Sequence, residues 1–313
     1  MQSLPSKIVC ALLCAALHSP FSDSAKHSDI AGKKAKKITS HYKPSEGFTH
    51  SRHALKDTFY ETLENKRKST DTVIFLIHGG SFKVGLVDMY RRLAEKLSNM
   101  LDGATVVSPD YRLFPEYGFP CLLEDTVSVY KALLGKGTRP ENIVFVGDSA
   151  GAMLCLTVSL FLRDKGLPLP GRIICFSLWG DATSSGASRI KNAYRDPFGG
   201  IARRKKIEDN RDYLHRISKY AEKLNRSDPY VSPCFGSFEG FPPVTLICGE
   251  AEMDESDNDT VFEKMKSVGV DVELHKFYGM FHCFHFFSFL PESKKAFEIA
   301  TKRIKEKKTY DNT

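Results

Sequence analysis

Six short apolar runs separated by helix-like stretches constrain the fold of this 313-residue chain more than any other feature. Each run is five to eight residues long and rich in β-branched and other apolar residues, as is typical of strands buried in a parallel sheet. The runs lie at 73–77, 104–108, 142–147, 172–177, 244–249 and 270–277. The stretches with helical spacing of apolar residues lie at 89–101, 122–134, 150–164 and 261–269. This alternation predicts an α/β fold with a mostly parallel, doubly wound sheet flanked by helices, and ligands at the carboxyl ends of its strands.

Two regions depart from the alternation. Residues 1–50 show no clear strand, and between Ser177 and Pro243 only a long charged stretch at 201–224 stands out, which we predict to be helical. We expect residues 1–50 and an insertion at about 182–230 to form a helical cap on a catalytic domain spanning 51–313. The alternative is a signal peptide at residues 1–25, because a basic residue precedes an apolar run and small residues there.

The eight cysteines favour the cap interpretation. Four of them lie inside apolar runs, where a free thiol behaves as a small hydrophobic group, and no two have the spacing of zinc ligands. Reduced cysteines predict a cytoplasmic location, with secretion as the alternative if residues 1–25 are a signal peptide. The apolar run is too short and interrupted for stable membrane insertion. The formal net charge is +7, but no nucleic-acid motif accompanies it, so no nucleic-acid partner is expected.

The most specific motif is Gly147-Asp148-Ser149-Ala150-Gly151, which follows one predicted strand and opens a helix. A G-x-S-x-G sequence between a strand and a helix is the nucleophile elbow, a tight turn that exposes the serine hydroxyl above the sheet. The following helix N-terminus favours developing negative charge. The motif therefore predicts Ser149 as a nucleophile.

A serine nucleophile needs a base, and His282 is the best placed histidine. It lies on the loop after the last predicted strand, where the order serine, acid, histidine places it. The base needs a carboxylate to orient it. Candidates follow the strand at 244–249, and position alone leaves Glu252 and Asp254 as rivals. The full set is Glu250, Glu252, Asp254, Asp257 and Asp259.

Backbone donors for a developing oxyanion are expected after two buried strands. The sequence His78-Gly79-Gly80-Ser81 follows the strand at 73–77, and such a glycine-rich loop can turn its N–H groups toward a carbonyl oxygen. We expect an oxyanion hole in which Gly80, Ser81 and Ala150 donate and Gly79 shapes the loop. His78 and Asp148 are expected to support the two motifs.

Taken together, these motifs resemble the hormone-sensitive-lipase-like family of α/β-hydrolases, over about Val73 to Phe284. The family's H-G-G-G stands at 78–81, its D-Y-R-L-A-P-E at 110–116, its G-D-S-A-G at 147–151 and a W-x-D-x-T at 179–183. The resemblance implies an α/β-hydrolase fold with an N-terminal helical cap. It also implies a catalytic carboxylate three residues after the strand-end glycine, which selects Glu252. Ser81 in place of glycine, and glutamate in place of the usual aspartate, depart from the family pattern.

The resemblance implies a serine carboxylesterase that hydrolyses short-chain esters through an acyl-serine intermediate. This chemistry needs no metal and no organic cofactor, and the expected partner is a small-molecule ester. An amidase or deacetylase with the same triad is one alternative, since leaving-group preference depends on the pocket. A catalytically silent binding protein with the same fold is another. A homodimer through the edge of the last strand is compatible with this architecture.

Overall fold

A computed structural model describes residues 1–18, 40–214 and 221–306, without the side chain of Tyr213. One sheet of eight strands runs through these residues in the order β1-β2-β4-β3-β5-β6-β7-β8. Strand β2 is antiparallel to both β1 and β4, and every other pair is parallel. The strands are β1 (Phe48–Leu55), β2 (Thr58–Asn65), β3 (Val73–Ile77), β4 (Thr105–Asp110), β5 (Ile143–Asp148), β6 (Arg172–Phe176), β7 (Val244–Gly249) and β8 (Val272–Phe277). The expected α/β fold with a mostly parallel sheet is confirmed.

Helices pack on both faces of this sheet. The longer ones are α1 (Leu4–Leu17), α2 (Asp88–Met100), α3 (Phe119–Gly135), α4 (Ala150–Asp164), α7 (Glu255–Ser267) and α8 (Pro291–Lys305), and the short ones are α5 (Ser188–Lys191) and α6 (Arg211–Leu214). Single 3₁₀ turns lie at Pro140–Asn142, Glu208–Asn210, Pro233–Phe235 and Phe284–Phe286. Strands β5, β6 and β7 are buried along their whole length, and so are most residues of α4. The nucleophile motif therefore lies in the most rigidly packed part of the molecule.

Two sequence predictions of secondary structure are wrong. Residues 48–55 form β1, although the segment before residue 51 was expected to lack a strand. Its polar residues pair with β2 at the edge of the sheet. The long helix expected at 201–224 is absent from the described part of that range, which holds turns, one 3₁₀ turn and the four-residue α6. The charged segment has no continuous apolar stripe, and Ile201 and Leu214 instead pack beside Met253 in a small separate cluster.

The N-terminal segment forms helix α1, which is attached to the catalytic part of the chain by polar contacts. The Gln2 side chain donates to the Gly279 carbonyl at 2.9 Å, and the Ser3 and Ser6 hydroxyls donate to Glu292. Helix α1 and the other helices of the described ranges are all too short or too polar to cross a membrane. All eight cysteines lie within these ranges as unpaired thiols.

Candidate active site

Ser149 lies in a strained turn between β5 and α4. Its φ of 51° and ψ of −119° are unfavourable for a residue with a side chain, and its amide donates to the Phe176 carbonyl at 2.9 Å. Glycine is required on both sides of Ser149 because other backbone atoms lie too close to leave room for a side chain. A Cβ on Gly147 would meet the backbone of Gly151, and a Cβ on Gly151 would overlap the carbonyl oxygen of Ile77. The spacing of the motif thus follows from the sharpness of the turn.

The structure brings the predicted base and nucleophile together. The Nε2 atom of His282 is 2.9 Å from the Ser149 hydroxyl oxygen, and its Nδ1 atom is 3.2 Å from the carboxylate of Glu252. With the Nδ1 proton donated to Glu252, Nε2 is left to accept from the serine hydroxyl. This arrangement has the geometry required for general-base activation of a serine.

Glu252 and Asp254, the rival acids, have different surroundings. Glu252 is fully buried, and its second oxygen accepts from the Ser177 hydroxyl at 2.8 Å and from the Gly249 amide at 2.6 Å. Asp254 is 3.9 Å from His282 Nδ1, beyond hydrogen-bonding distance, and its other oxygen is paired with Arg189. The geometry therefore favours Glu252 over Asp254.

The other carboxylates after β7 are directed elsewhere. Asp257 accepts from the amides of Gly180 and Asp181, and Asp259 pairs with Lys276. Asp257, Asp259 and Glu255 all belong to α7, which begins at residue 255 rather than near 261 as expected. The Glu250 side chain has no hydrogen bond or ion pair to any described residue, so none of these groups reaches the imidazole.

The pKa values of His282 and Glu252 are both raised. Burial opposes a charge on the His282 ring, but the neighbouring Cys283 and the hydrogen bond and charge of Glu252 outweigh it and raise the pKa well above its usual value. Burial raises the pKa of Glu252, and hydrogen bonds from His282, Gly249 and Ser177 partly oppose that rise. The acid thus favours the protonated imidazolium that forms when the serine attacks.

The His78-Gly79-Gly80-Ser81 loop approaches the elbow through Gly79. The Gly79 amide donates to the Tyr90 hydroxyl at 2.8 Å and to Asp148 at 3.2 Å, so it is not free to bind an oxyanion. Gly80 and Ser81 both have positive φ, 96° and 53°. Their amides and that of Ala150 have no hydrogen-bond acceptor among the residues that the structure describes. These three amides are available for a ligand oxygen, and Gly79 shapes the loop.

Asp148 joins the two halves of the site. Its carboxylate accepts from Gly79, from the Tyr90 hydroxyl at 3.1 Å and from the thiol of Cys283, the residue after His282. Burial raises the pKa of Asp148 to about 6, against the hydrogen bonds that favour its charged form. One buried side chain therefore links the glycine loop, the elbow and the histidine loop.

The ring and the carbonyl of His78 hold the start of the glycine loop in place. It stacks on Tyr111 with ring centres 4.1 Å apart, and the Tyr111 hydroxyl donates to the His78 carbonyl at 2.7 Å. Burial lowers the pKa of His78, so the ring is neutral. The contacts of His78 with Tyr111 and with the Gly79 carbonyl therefore support the loop.

Three residues at the site were not singled out from the sequence: Ser177, Tyr90 and Cys283. Ser177 is the last residue of the apolar run at 172–177, and its positive φ of 49° turns its hydroxyl toward Glu252. Tyr90 lies within the stretch at 89–101, whose helical spacing of apolar residues gives no sign of a role at the site. No periodic pattern distinguishes such residues, since the carboxylates they bind lie more than 50 residues away along the chain. No cluster of three or more metal-ligating side chains is present in the described residues.

Known hydrolases and esterases are similar to this chain in sequence and in fold. A family model described as the alpha/beta hydrolase fold matches residues 74–286. An acetyl-hydrolase of Streptomyces hygroscopicus is 32% identical over 241 residues, 77% of each chain. An esterase of Acinetobacter venetianus is 31% identical over 231 residues, 73% of each chain.

Solved esterase structures share the fold over nearly the whole chain. An esterase/lipase from an uncultured bacterium superposes with a TM-score of 0.81 at 27% identity, over 96% of this chain and 98% of that one. An esterase of the bacterial hormone-sensitive lipase family gives a TM-score of 0.79 at 26% identity, over 97% and 98% of the two chains. The chain therefore belongs to the α/β-hydrolase family, among its hormone-sensitive-lipase-like members, and is a carboxylic ester hydrolase.

Proposed function

We propose that this hydrolase cleaves short-chain carboxylic esters through an acyl-enzyme intermediate on Ser149. The observation that carries the proposal is the continuous chain of hydrogen bonds from Ser149 through His282 to Glu252. The Ser149 oxygen attacks the ester carbonyl while His282 Nε2 takes its proton, and Glu252 stabilises the imidazolium.

The tetrahedral intermediate carries a negative oxygen that requires donors. The unoccupied amides of Gly80, Ser81 and Ala150 are the candidates, and Ala150 also begins α4, whose N-terminus favours negative charge. Collapse of the intermediate transfers the His282 proton to the leaving alcohol. Water then attacks the acyl-serine with His282 again as the base, and the acid is released.

The preference for short acyl groups rests on the relatives. Among them, the Streptomyces protein is named an acetyl-hydrolase, so acetyl esters are the first substrates to test. Helix α1 and the segment at about 182–230 are proposed to act together as a cap beside the site. Their contacts support this role: the thiols of Cys10 and Cys14 both approach the Arg195 carbonyl, at 3.9 and 4.0 Å.

The test is hydrolysis of p-nitrophenyl esters from acetate to decanoate. The parent enzyme is expected to prefer acetate and butyrate, and Ser149→Ala and His282→Ala are expected to lose nearly all turnover. Two matched controls change like residues outside the hydrogen-bonded chain: Ser159→Ala, whose hydroxyl bonds to the Cys155 carbonyl, and His275→Ala, which pairs with Glu273. Equal activity on long chains would refute the short-chain preference. Turnover that persists in Ser149→Ala would refute the mechanism.

A further inference from the structure

Helix α1 turns its serine hydroxyls toward the protein and a row of apolar side chains toward solvent. Inward, Ser3 and Ser6 bond to Glu292. Outward, Leu4, Ile8 and Leu12 expose 70%, 51% and 63% of their surface. The spacing of four places these three on one side of the helix. We call them the outer row.

The outer row has no partner among the described residues and is not needed to hold the helix. Attachment of α1 uses its other side, where Val9, Cys10 and Leu13 pack against the hydrophobic core. A contiguous row of exposed large apolar side chains is uncommon on a protein surface and marks a contact site more often than chance. Contacts within the described protein therefore account for the side chains on the inner side of α1, but not for the apolar side chains of the outer row.

Positive charge lies on α1 itself and across a groove from this helix. Lys7 is on α1, and Arg203 and Arg204 lie across a groove of about 790 Å³ between α1 and the insertion. Arg204 donates to the His18 carbonyl at the C-terminal end of α1. Within the described ranges, neither Lys7 nor either arginine forms an ion pair with a carboxylate. Exposed Lys205 and Lys206 follow Arg204 in the chain, and we call these five cationic residues the basic cluster.

We propose that this face adsorbs to an anionic phospholipid surface, with α1 lying along the lipid–water boundary and the basic cluster on the headgroups. An apolar row next to unpaired cations is the combination that binds peripheral proteins to acidic membranes. A second copy of the chain is a poorer partner. In a two-fold dimer through this face, the basic clusters of the two copies would be brought together and would repel each other.

Adsorption would bring the catalytic part of the chain close to the lipid. Gln2, immediately before α1, bonds to the Gly279 carbonyl, and Gly279 lies on the loop that carries His282. The face that contacts lipid is thus continuous with the loop that holds the base. An ester dissolved in, or forming part of, a membrane would be concentrated at this side of the enzyme.

The test is co-sedimentation of the full chain with vesicles of phosphatidylcholine containing about one third phosphatidylglycerol, compared with pure phosphatidylcholine. Two variants probe the face: Leu4→Ser/Ile8→Ser/Leu12→Ser for the outer row, and Arg203→Ser/Arg204→Ser for the charge. Matched controls are Met89→Ser/Val268→Ser, which are exposed apolar residues on other elements, and Lys66→Ser/Lys68→Ser, which are exposed lysines elsewhere. Thermal unfolding without vesicles checks that each variant is folded.

The parent chain is expected to bind acidic vesicles and to bind neutral ones at least tenfold more weakly. Each charge removed from the basic cluster should weaken partitioning about fivefold, and loss of the outer row should abolish it. The controls should bind as the parent does.

Equal binding to both vesicle types, binding unaffected by either variant, or no binding at all would overturn the proposal. So would a dimer in solution that dissociates when the outer row is replaced, since the face would then be covered by a second copy. Because sedimentation does not measure turnover, the outcome is independent of the proposed ester hydrolysis.

Discussion

Replacing Glu252 by glutamine removes the charge that stabilises the imidazolium while keeping the shape of the side chain. At 3.2 Å and an effective dielectric constant of about 20, the attraction between Glu252 and a protonated His282 is about 5 kcal/mol. At 1.36 kcal/mol per factor of ten, this predicts a loss of about three to four powers of ten in kcat/KM for Glu252→Gln. Glu252 itself is fully buried, so no solvent is available to replace its charge.

The matched control is Asp254→Asn. Asp254 is 3.9 Å from the same nitrogen, but Arg189 is paired with its other oxygen and cancels most of its field at the imidazole. We therefore expect less than about a tenfold loss for Asp254→Asn. The assay is kcat/KM on p-nitrophenyl acetate for both variants, with thermal unfolding as a check on folding. A greater loss in Asp254→Asn than in Glu252→Gln would refute the assignment of the acid.

Three further predictions follow from the same contacts. Because His282 must be neutral to accept the serine proton and its pKa is raised, kcat/KM should fall as the pH drops, with a midpoint above 6.5 in a pH–rate profile; a midpoint below 6.5 would contradict this. Ser177→Ala removes a hydrogen bond to the Glu252 carboxylate, so kcat should fall roughly tenfold or more with KM unchanged. If steady-state kinetics of this variant showed a change in KM and none in kcat, a positioning role for Ser177 would be contradicted. Gly151→Ala places a methyl group against the Ile77 carbonyl, and a lowering of the free energy of unfolding by roughly 3 kcal/mol or more is expected in urea titrations; a variant as stable as the parent would show that the turn can widen.

Much of the sheet was predictable because buried parallel strands are continuous apolar runs. The runs at 73–77 and 172–177 coincide with β3 and β6 to within a residue. Strand β1 was not predicted because it lies at an antiparallel edge of the sheet, where no apolar run is required. Five consecutive residues of this strand are all polar or basic. The charged segment at 201–224 has high helix propensity, but within its described part the Ile201 amide donates to the Ala193 carbonyl, outside the segment, and the remaining backbone bonds form short turns.

Ser149 and His282 could be singled out from the sequence because each follows a recognisable strand, and the structure places their side chains 2.9 Å apart. Position alone left Glu252 and Asp254 as rivals, since both lie in one loop. The family resemblance selected Glu252, and in the structure Glu252 lies 3.2 Å from His282 Nδ1 while Asp254 lies 3.9 Å from it. The roles of Ser177 and Tyr90 depend on partners distant in the chain, so no local pattern reports them. The cytoplasmic location and the homodimer stay predictions.

The most direct test of the central claim is detection of the acyl-enzyme itself. Rapid quenching of the enzyme with p-nitrophenyl acetate, followed by peptide mass spectrometry, should find one acetyl group on the peptide that contains Ser149. Ser149→Ala should show no acetyl group and no burst of p-nitrophenol, whereas Ser159→Ala should behave as the parent does. An acetyl group on another residue, or full turnover by Ser149→Ala, would contradict the account.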